Sequence, residues 1–207
     1  MSEMKIEFFH NSVCSFCYIQ SRRLQEILRE YPDAEVIHRA FPLNYASEEI
    51  KQVLTDEERD VTVKQWQRAN RVDEAKRFNV GGLEATMDFI KPRSRNAELA
   101  IKAAVQVAGE DIHWALSDAV QKAYFERLND ISDTAILESI VSSFDVDLVE
   151  WREAYSNPAL EEEILSDFQR AKNYDLDIIP SIVVNGSTII KGAIRPQLVR
   201  EKLDQAL

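Results

Sequence analysis

The chain has 207 residues, 45% of them hydrophobic, and a formal charge of −11 at neutral pH. That apolar share can build a sizeable core, which excludes global disorder, and the length suits one large domain or two small ones. The acidity argues against nucleic acid as a main partner and against an anionic membrane surface, since both need a basic face; its plain reading is solubility.

No apolar run approaches the length of a membrane span. Met1-Ser2-Glu3-Met4-Lys5 leads straight into a short strand-like run and lacks the long apolar middle of a signal peptide. A cytoplasmic location is therefore expected. In a reducing compartment a cysteine pair is more often catalytic than structural.

Residues 5–10 read as a strand whose paired phenylalanines suit burial on both faces. A helix is expected from near Cys14, with Ile19, Leu24, Ile27 and Leu28 as its apolar stripe, stopping at Tyr31-Pro32-Asp33. Residues 35–41 form a second strand closed by Pro42. Strand, helix and strand in so short a span make a βαβ unit with parallel strands.

The next hundred residues read as helices. Thr55 to Glu58 fits a capping box that opens a helix running towards Phe78, with Gly81-Gly82 ending it. Ala97, Ala100, Ile101, Ala104, Val105 and Ala108 follow helical spacing up to Gly109. Ile112, Leu116, Ala119, Val120 and Ala123 repeat the pattern. Asp133 and Asp147 each cap a further helix. Asn157-Pro158 starts another, lined by Leu160, Ile164, Leu165, Phe168 and Ala171. Residues 181–184 are strongly strand-like, Asn185-Gly186 signals a hairpin, and Pro196 opens a last helix carrying Val199 and Leu203. The order β-α-β, helical block, α-β-β-α predicts an α/β, thioredoxin-like fold with a large all-helical insertion domain. The expected boundaries are residues 1–44 and 157–207 for the discontinuous thioredoxin-like domain and 45–156 for the insertion.

The only two cysteines, Cys14 and Cys17, stand as C-x-x-C where the first strand gives way to the first helix. That spacing is almost one helical turn, so both sulfurs face the same side and can bridge. Unpaired N–H groups and the positive dipole end at the helix mouth favour a negative sulfur there. Cys14 is thus the expected nucleophile and Cys17 the resolving thiol. A zinc site would need more ligands, and the other soft donors are three histidines isolated in sequence, His10, His38 and His113. A mixed site including His10 is the alternative; the expectation is that no metal and no cofactor beyond the cysteines is held. His10 is read as hydrogen-bonded structure. A purely structural disulfide would close a very short loop and remove little unfolded-chain entropy.

Pro180 precedes an expected central strand, where proline is normally excluded. A cis Ile179–Pro180 bond would turn the backbone beside the sheet, and Ile179 would then offer strand-like hydrogen bonds to an extended peptide. An ordinary trans proline at a strand start is the alternative.

Ile6-Glu7-Phe8-Phe9, the Cys14-Ser15-Phe16-Cys17-Tyr18 run, the helical insert and Ile179 to Gly186 together resemble the DsbA family of thiol–disulfide oxidoreductases, and more narrowly its FrnE-like branch. The resemblance covers nearly the whole chain. It implies Cys14 as nucleophile, Cys17 as resolver, a cis-proline contact at Pro180, and a helical domain walling the substrate groove. Ser15, Phe16, Ile179 and Pro180 are the implied substrate contacts. The chain has Ser15-Phe16 where the branch often has Pro-Trp, Asn11 where it often has aspartate, and Asp177-Ile178-Ile179 where it often has a glycine–valine approach.

The expected function is a cytoplasmic dithiol–disulfide oxidoreductase whose partners are protein disulfides or dithiols, or small thiols. An adaptor or stress-sensing binding protein on the same scaffold is the alternative. A glutathione-dependent isomerase or transferase is disfavoured, because relatives of that kind carry serine at the attacking position. The oligomeric state, monomer or homodimer, is left open by the sequence.

Overall fold

The computed structural model describes residues 4–43, 45 and 51–206. Residues 1–3 and Asn44, where the first domain segment was expected to end, lie outside the described residues.

The sheet is built on β1 (Lys5–His10). It runs parallel to β2 (Glu35–Ala40), with Phe8 opposite His38, and antiparallel to β3 (Ser181–Val184), with Phe8 opposite Ile182. β4 (Thr188–Lys191) completes the order β2-β1-β3-β4. The parallel pair needs a crossover, which α1 (Ser15–Leu28) supplies. β3 and β4 also pair antiparallel, Val184 opposite Thr188, and the three-residue connection between them carries Asn185 and Gly186, both at positive φ.

Successive side chains of β1 point to opposite layers. Ile6 and Phe8 pack with Leu24 and Ile27 of α1 and with Val199 and Leu203 of α9 (Pro196–Asp204). Phe9 faces Ala171 of α8 (Ala159–Asn173), Leu176 and Val183. Each fully buried phenylalanine contributes roughly 2–3 kcal/mol. β1 is therefore pinned on both faces, and its carboxyl end is a fixed platform for the loop that follows.

Glu7 shares the α8 face with Phe9 and is almost fully enclosed. Burial by itself would raise its carboxyl. Hydrogen bonds from Arg170 and Tyr174, and the Arg39 guanidinium, reverse this and hold it at about 2. An unfolded glutamate binds its proton near 4.5, so between 4.5 and 2 the unfolded chain binds more protons. The contribution is complete above pH 4.5 and is lost as pH falls towards 2. It is worth roughly 2 kcal/mol once solvent screening of the half-exposed Arg170 is allowed for. Glu7→Gln should lower neutral-pH stability by that amount and flatten the acid dependence of the urea midpoint. An acid slope equal to wild type would contradict this ion-pair account.

The helical block holds α2 (Asp56–Val72), α3 (Val80–Ala85), α4 (Arg95–Ala108), α5 (His113–Phe125), α6 (Thr134–Val141) and α7 (Leu148–Tyr155). The capping box forms between Thr55 and Glu58, and Asp133 and Asp147 cap their helices. Two boundaries differ from expectation. α2 stops at Val72 rather than running towards Phe78, because Asp73 accepts from the Arg77 amide at 2.8 Å and Asn70 bonds both backbone groups of Phe78. Gly81 and Gly82 lie inside α3 instead of ending a helix. Asn79 caps the Gly82 amide, and a Cβ on Gly82 would sit 2.5 Å from the capping side chain. Leu165, expected inward, is 52% exposed. It follows the buried Ile164 by about 100° of rotation and so leaves the packed face of α8.

Candidate active site

Cys14 is the N-cap of α1, in extended conformation, and its sulfur accepts the Cys17 amide at 3.2 Å. The loop before it is set by Asn11. The Asn11 carbonyl takes the Cys14 amide at 3.2 Å and the Gln121 side chain at 3.3 Å, and its side-chain oxygen takes the Val13 amide at 3.0 Å. Its side-chain nitrogen donates to the Phe41 carbonyl at 2.8 Å. An ionised aspartate has no such donor, which explains an amide at this position.

Ile179 and Pro180 face this loop across the sheet end. Their peptide bond is cis, and the Cys14 thiol lies 3.8 Å from the Ile179 carbonyl. Both cysteines are free thiols with unequal surroundings. Cys14 is 7% exposed and Cys17 is 0% exposed. Burial, then the bond to Cys14, pushes the Cys17 thiol well above its ordinary range. Both residues are buried, and of the two only Cys14 keeps any contact with solvent.

The four residues expected to meet substrate lie in different settings. Phe16 is partly exposed and packs on the helical core. Ser15 is buried, with its hydroxyl 3.4 Å from the Gln65 side chain of α2. Ile179 is partly buried and Pro180 is buried, while the neighbouring Ile178 is exposed.

Sequence reasoning missed Ser12 and Glu98. Glu98 projects from α4 into the thiol loop, where it accepts the Ser12 amide at 2.8 Å and the Ser12 hydroxyl at 2.6 Å. Burial pushes its carboxyl up to about 6 against these two bonds. The signal in the sequence was one acid set among Ala97, Ala100 and Ile101, on a face otherwise small and apolar. The block grips α1 elsewhere too. Arg77 lies 3.7 Å over the Tyr18 ring and donates to the Tyr18 carbonyl, and the Tyr18 hydroxyl bonds Glu126 at 2.8 Å.

The three histidines, isolated in sequence, converge in space. His10 and His38 share a hydrogen bond of 3.0 Å, and His113 stacks on His38 at 3.7 Å. Burial holds the His10 ring neutral down to about 4. The group contains neither cysteine.

A sulfur at the helix N-cap, a fully buried partner one turn away and an amide aimed at the first sulfur can together support thiol–disulfide exchange. Among the described residues no helix is long and apolar enough to cross a membrane. The family model for the DSBA-like thioredoxin domain matches residues 5–204. No curated protein matches the chain. Solved structures share the fold at low identity. One is a candidate protein disulfide isomerase of Nitrosomonas europaea, 16% identical with TM-score 0.81, over 99% of this chain and 97% of that one. Another is a candidate DsbA oxidoreductase of Streptomyces coelicolor, 20% identical with TM-score 0.76, over 98% and 89%. The cytosolic disulfide reductase DsbM of Pseudomonas aeruginosa is 16% identical with TM-score 0.75, over 97% of both chains.

Proposed function

The chain belongs to the DSBA-like thioredoxin family of thiol–disulfide oxidoreductases, and on that premise we propose that it exchanges disulfides with protein or small-thiol substrates through Cys14 and Cys17. The observation that carries this reading is the unequal pair, Cys14 capping the helix mouth beside the Ile179 carbonyl and Cys17 fully enclosed a turn below. In reduction, the Cys14 thiolate attacks one sulfur of a substrate disulfide. A mixed disulfide forms and the other substrate sulfur leaves as a thiolate. Cys17 then gives up its proton, attacks the Cys14 sulfur and closes the internal disulfide. The substrate leaves as a dithiol, having gained two electrons. Oxidation is the same path reversed, and the poise of the compartment sets the direction.

The Ile179 carbonyl, 3.8 Å from the reacting sulfur, would flank an extended substrate backbone together with Phe16 and the edge of Pro180, with the helical block as the opposite wall. Ser15 serves from within, holding the start of α1 against Gln65. The likeness to a cytosolic disulfide reductase supports a cytoplasmic place of work. A Cys17→Ser variant incubated with a disulfide substrate should accumulate one covalent adduct on Cys14, visible as an intact-mass increase that dithiothreitol removes. No adduct at Cys14 would overturn the assignment.

The dipeptide between the cysteines is Ser15-Phe16, which offers no cationic group to the sulfur. The thiolate then gains mainly from the helix end. Equilibrium against glutathione should place the pair below the strong oxidant value of about −120 mV. A potential at that value would contradict the account.

A further inference from the structure

We infer that His10, His38 and His113 form a binding site for a divalent transition metal of the zinc class, separate from the cysteine pair. The three come from three elements: the last residue of β1, the middle of β2 and the first residue of α5. One ring nitrogen from each lies within 4.8 Å of the other two. His10 and His113 are buried, and Phe8 and Trp114 wall the cluster with aromatic faces.

Two further observations point to a ligand. His113 Nε2 is buried and makes no hydrogen bond. A buried polar atom left unpaired costs roughly 1–3 kcal/mol, and its lone pair is what a metal ion takes up. The other nitrogen of the same ring, Nδ1, lies 3.9 Å from the exposed carboxylate of Glu110, too far for a hydrogen bond but close enough to become the outer partner of a metal-bound imidazole once the ring turns. Lys102 is the opposing cation, and it is neutralised by Asp167 at 2.9 Å.

The chemistry selects the ion. An all-imidazole set suits zinc, cobalt, nickel or copper and is wrong for calcium or magnesium, which want oxygen. Zinc–nitrogen bonds of about 2.0–2.1 Å in a tetrahedron place ligand nitrogens about 3.3 Å apart. The His10–His38 pair, at 3.0 Å, is nearly there. His38 and His113 are stacked within 10° of parallel, and an ion lying in both ring planes needs that stack to open. His113 is the ring to turn, since no hydrogen bond fixes its Nε2.

The test uses the full chain in its oxidised form, so that no thiol is available, titrated with Co(II) and with Zn(II). Wild type should bind one equivalent of each, with a Co(II) visible spectrum of nitrogen ligation and a change in Trp114 fluorescence. His10→Gln, His38→Gln and His113→Gln should each lower the affinity by at least about a hundredfold, and Glu110→Gln by about tenfold. Circular dichroism identifies any variant that fails to fold, and the remaining ones then carry the comparison. Absence of binding by wild type, or binding unchanged in every folded histidine variant, would overturn the site. The cysteines are out of play as thiols here, so the result is independent of the exchange chemistry proposed above.

Discussion

Cys14→Ser is expected to lose insulin reduction and glutathione-disulfide turnover by at least about a thousandfold, to the uncatalysed background. A serine oxygen is not ionised at neutral pH and forms no disulfide, so the first step has no substitute. The geometry makes a sharper contrast possible. Cys17→Ser should also stop turnover, yet still capture substrate stoichiometrically, because the attacking sulfur is intact. The difference follows from position, since Cys14 caps the helix beside the Ile179 carbonyl while Cys17 is fully enclosed. In the folded wild type, iodoacetamide should label Cys14 first and leave Cys17 unmodified. Turnover by Cys14→Ser equal to wild type, or preferential labelling of Cys17, would remove the nucleophile from Cys14.

Trp151→Ala should have the largest effect on stability, a loss of roughly 3–5 kcal/mol. The side chain is fully buried between helices of the block. Its indole nitrogen donates to the Ala100 carbonyl of α4 at 3.0 Å, and its ring stacks on Tyr155 at 5.1 Å. Truncation leaves a cavity that α4 and α7 can close only in part. For a chain of this size the loss corresponds to a thermal midpoint lower by roughly 10 °C. Trp151→Phe keeps an aromatic ring but loses the hydrogen bond and some volume, and should cost about 1–2 kcal/mol. A Trp151→Ala protein within 1 kcal/mol of wild type in urea would show that this packing contributes little.

Legibility in the sequence tracked how local each determinant is. The elements with short-range chemistry were plain: β1 from its apolar pair, the capping box at Thr55, the hairpin at Asn185-Gly186, the caps at Asp133 and Asp147. The thiol pair was plain for the same reason, since three residues of spacing decide it. Errors came where a side chain from elsewhere decides the backbone. Asp73 and Asn70 end α2 early through Arg77 and Phe78, and no propensity reveals that. Glu98 meets Ser12 across 86 positions, and the histidines meet through strand register and the start of α5. Those meetings are properties of the folded packing. In the sequence they leave only faint marks, a lone acid on an apolar face and three single histidines.

The bond from Glu98 to Ser12 carries a consequence for protein engineering. The exchange loop is assembled by groups from two parts of the fold: Asn11 and Ser12 from the strand-to-helix junction, Gln65, Glu98 and Gln121 from the helical block. Excising residues 45–156 to obtain a minimal redox scaffold would strip the loop of its outside supports and bare the apolar side of α1. Grafting this Cys14–Cys17 segment onto a foreign scaffold would transplant the sulfurs without the frame that sets one at the helix cap and encloses the other.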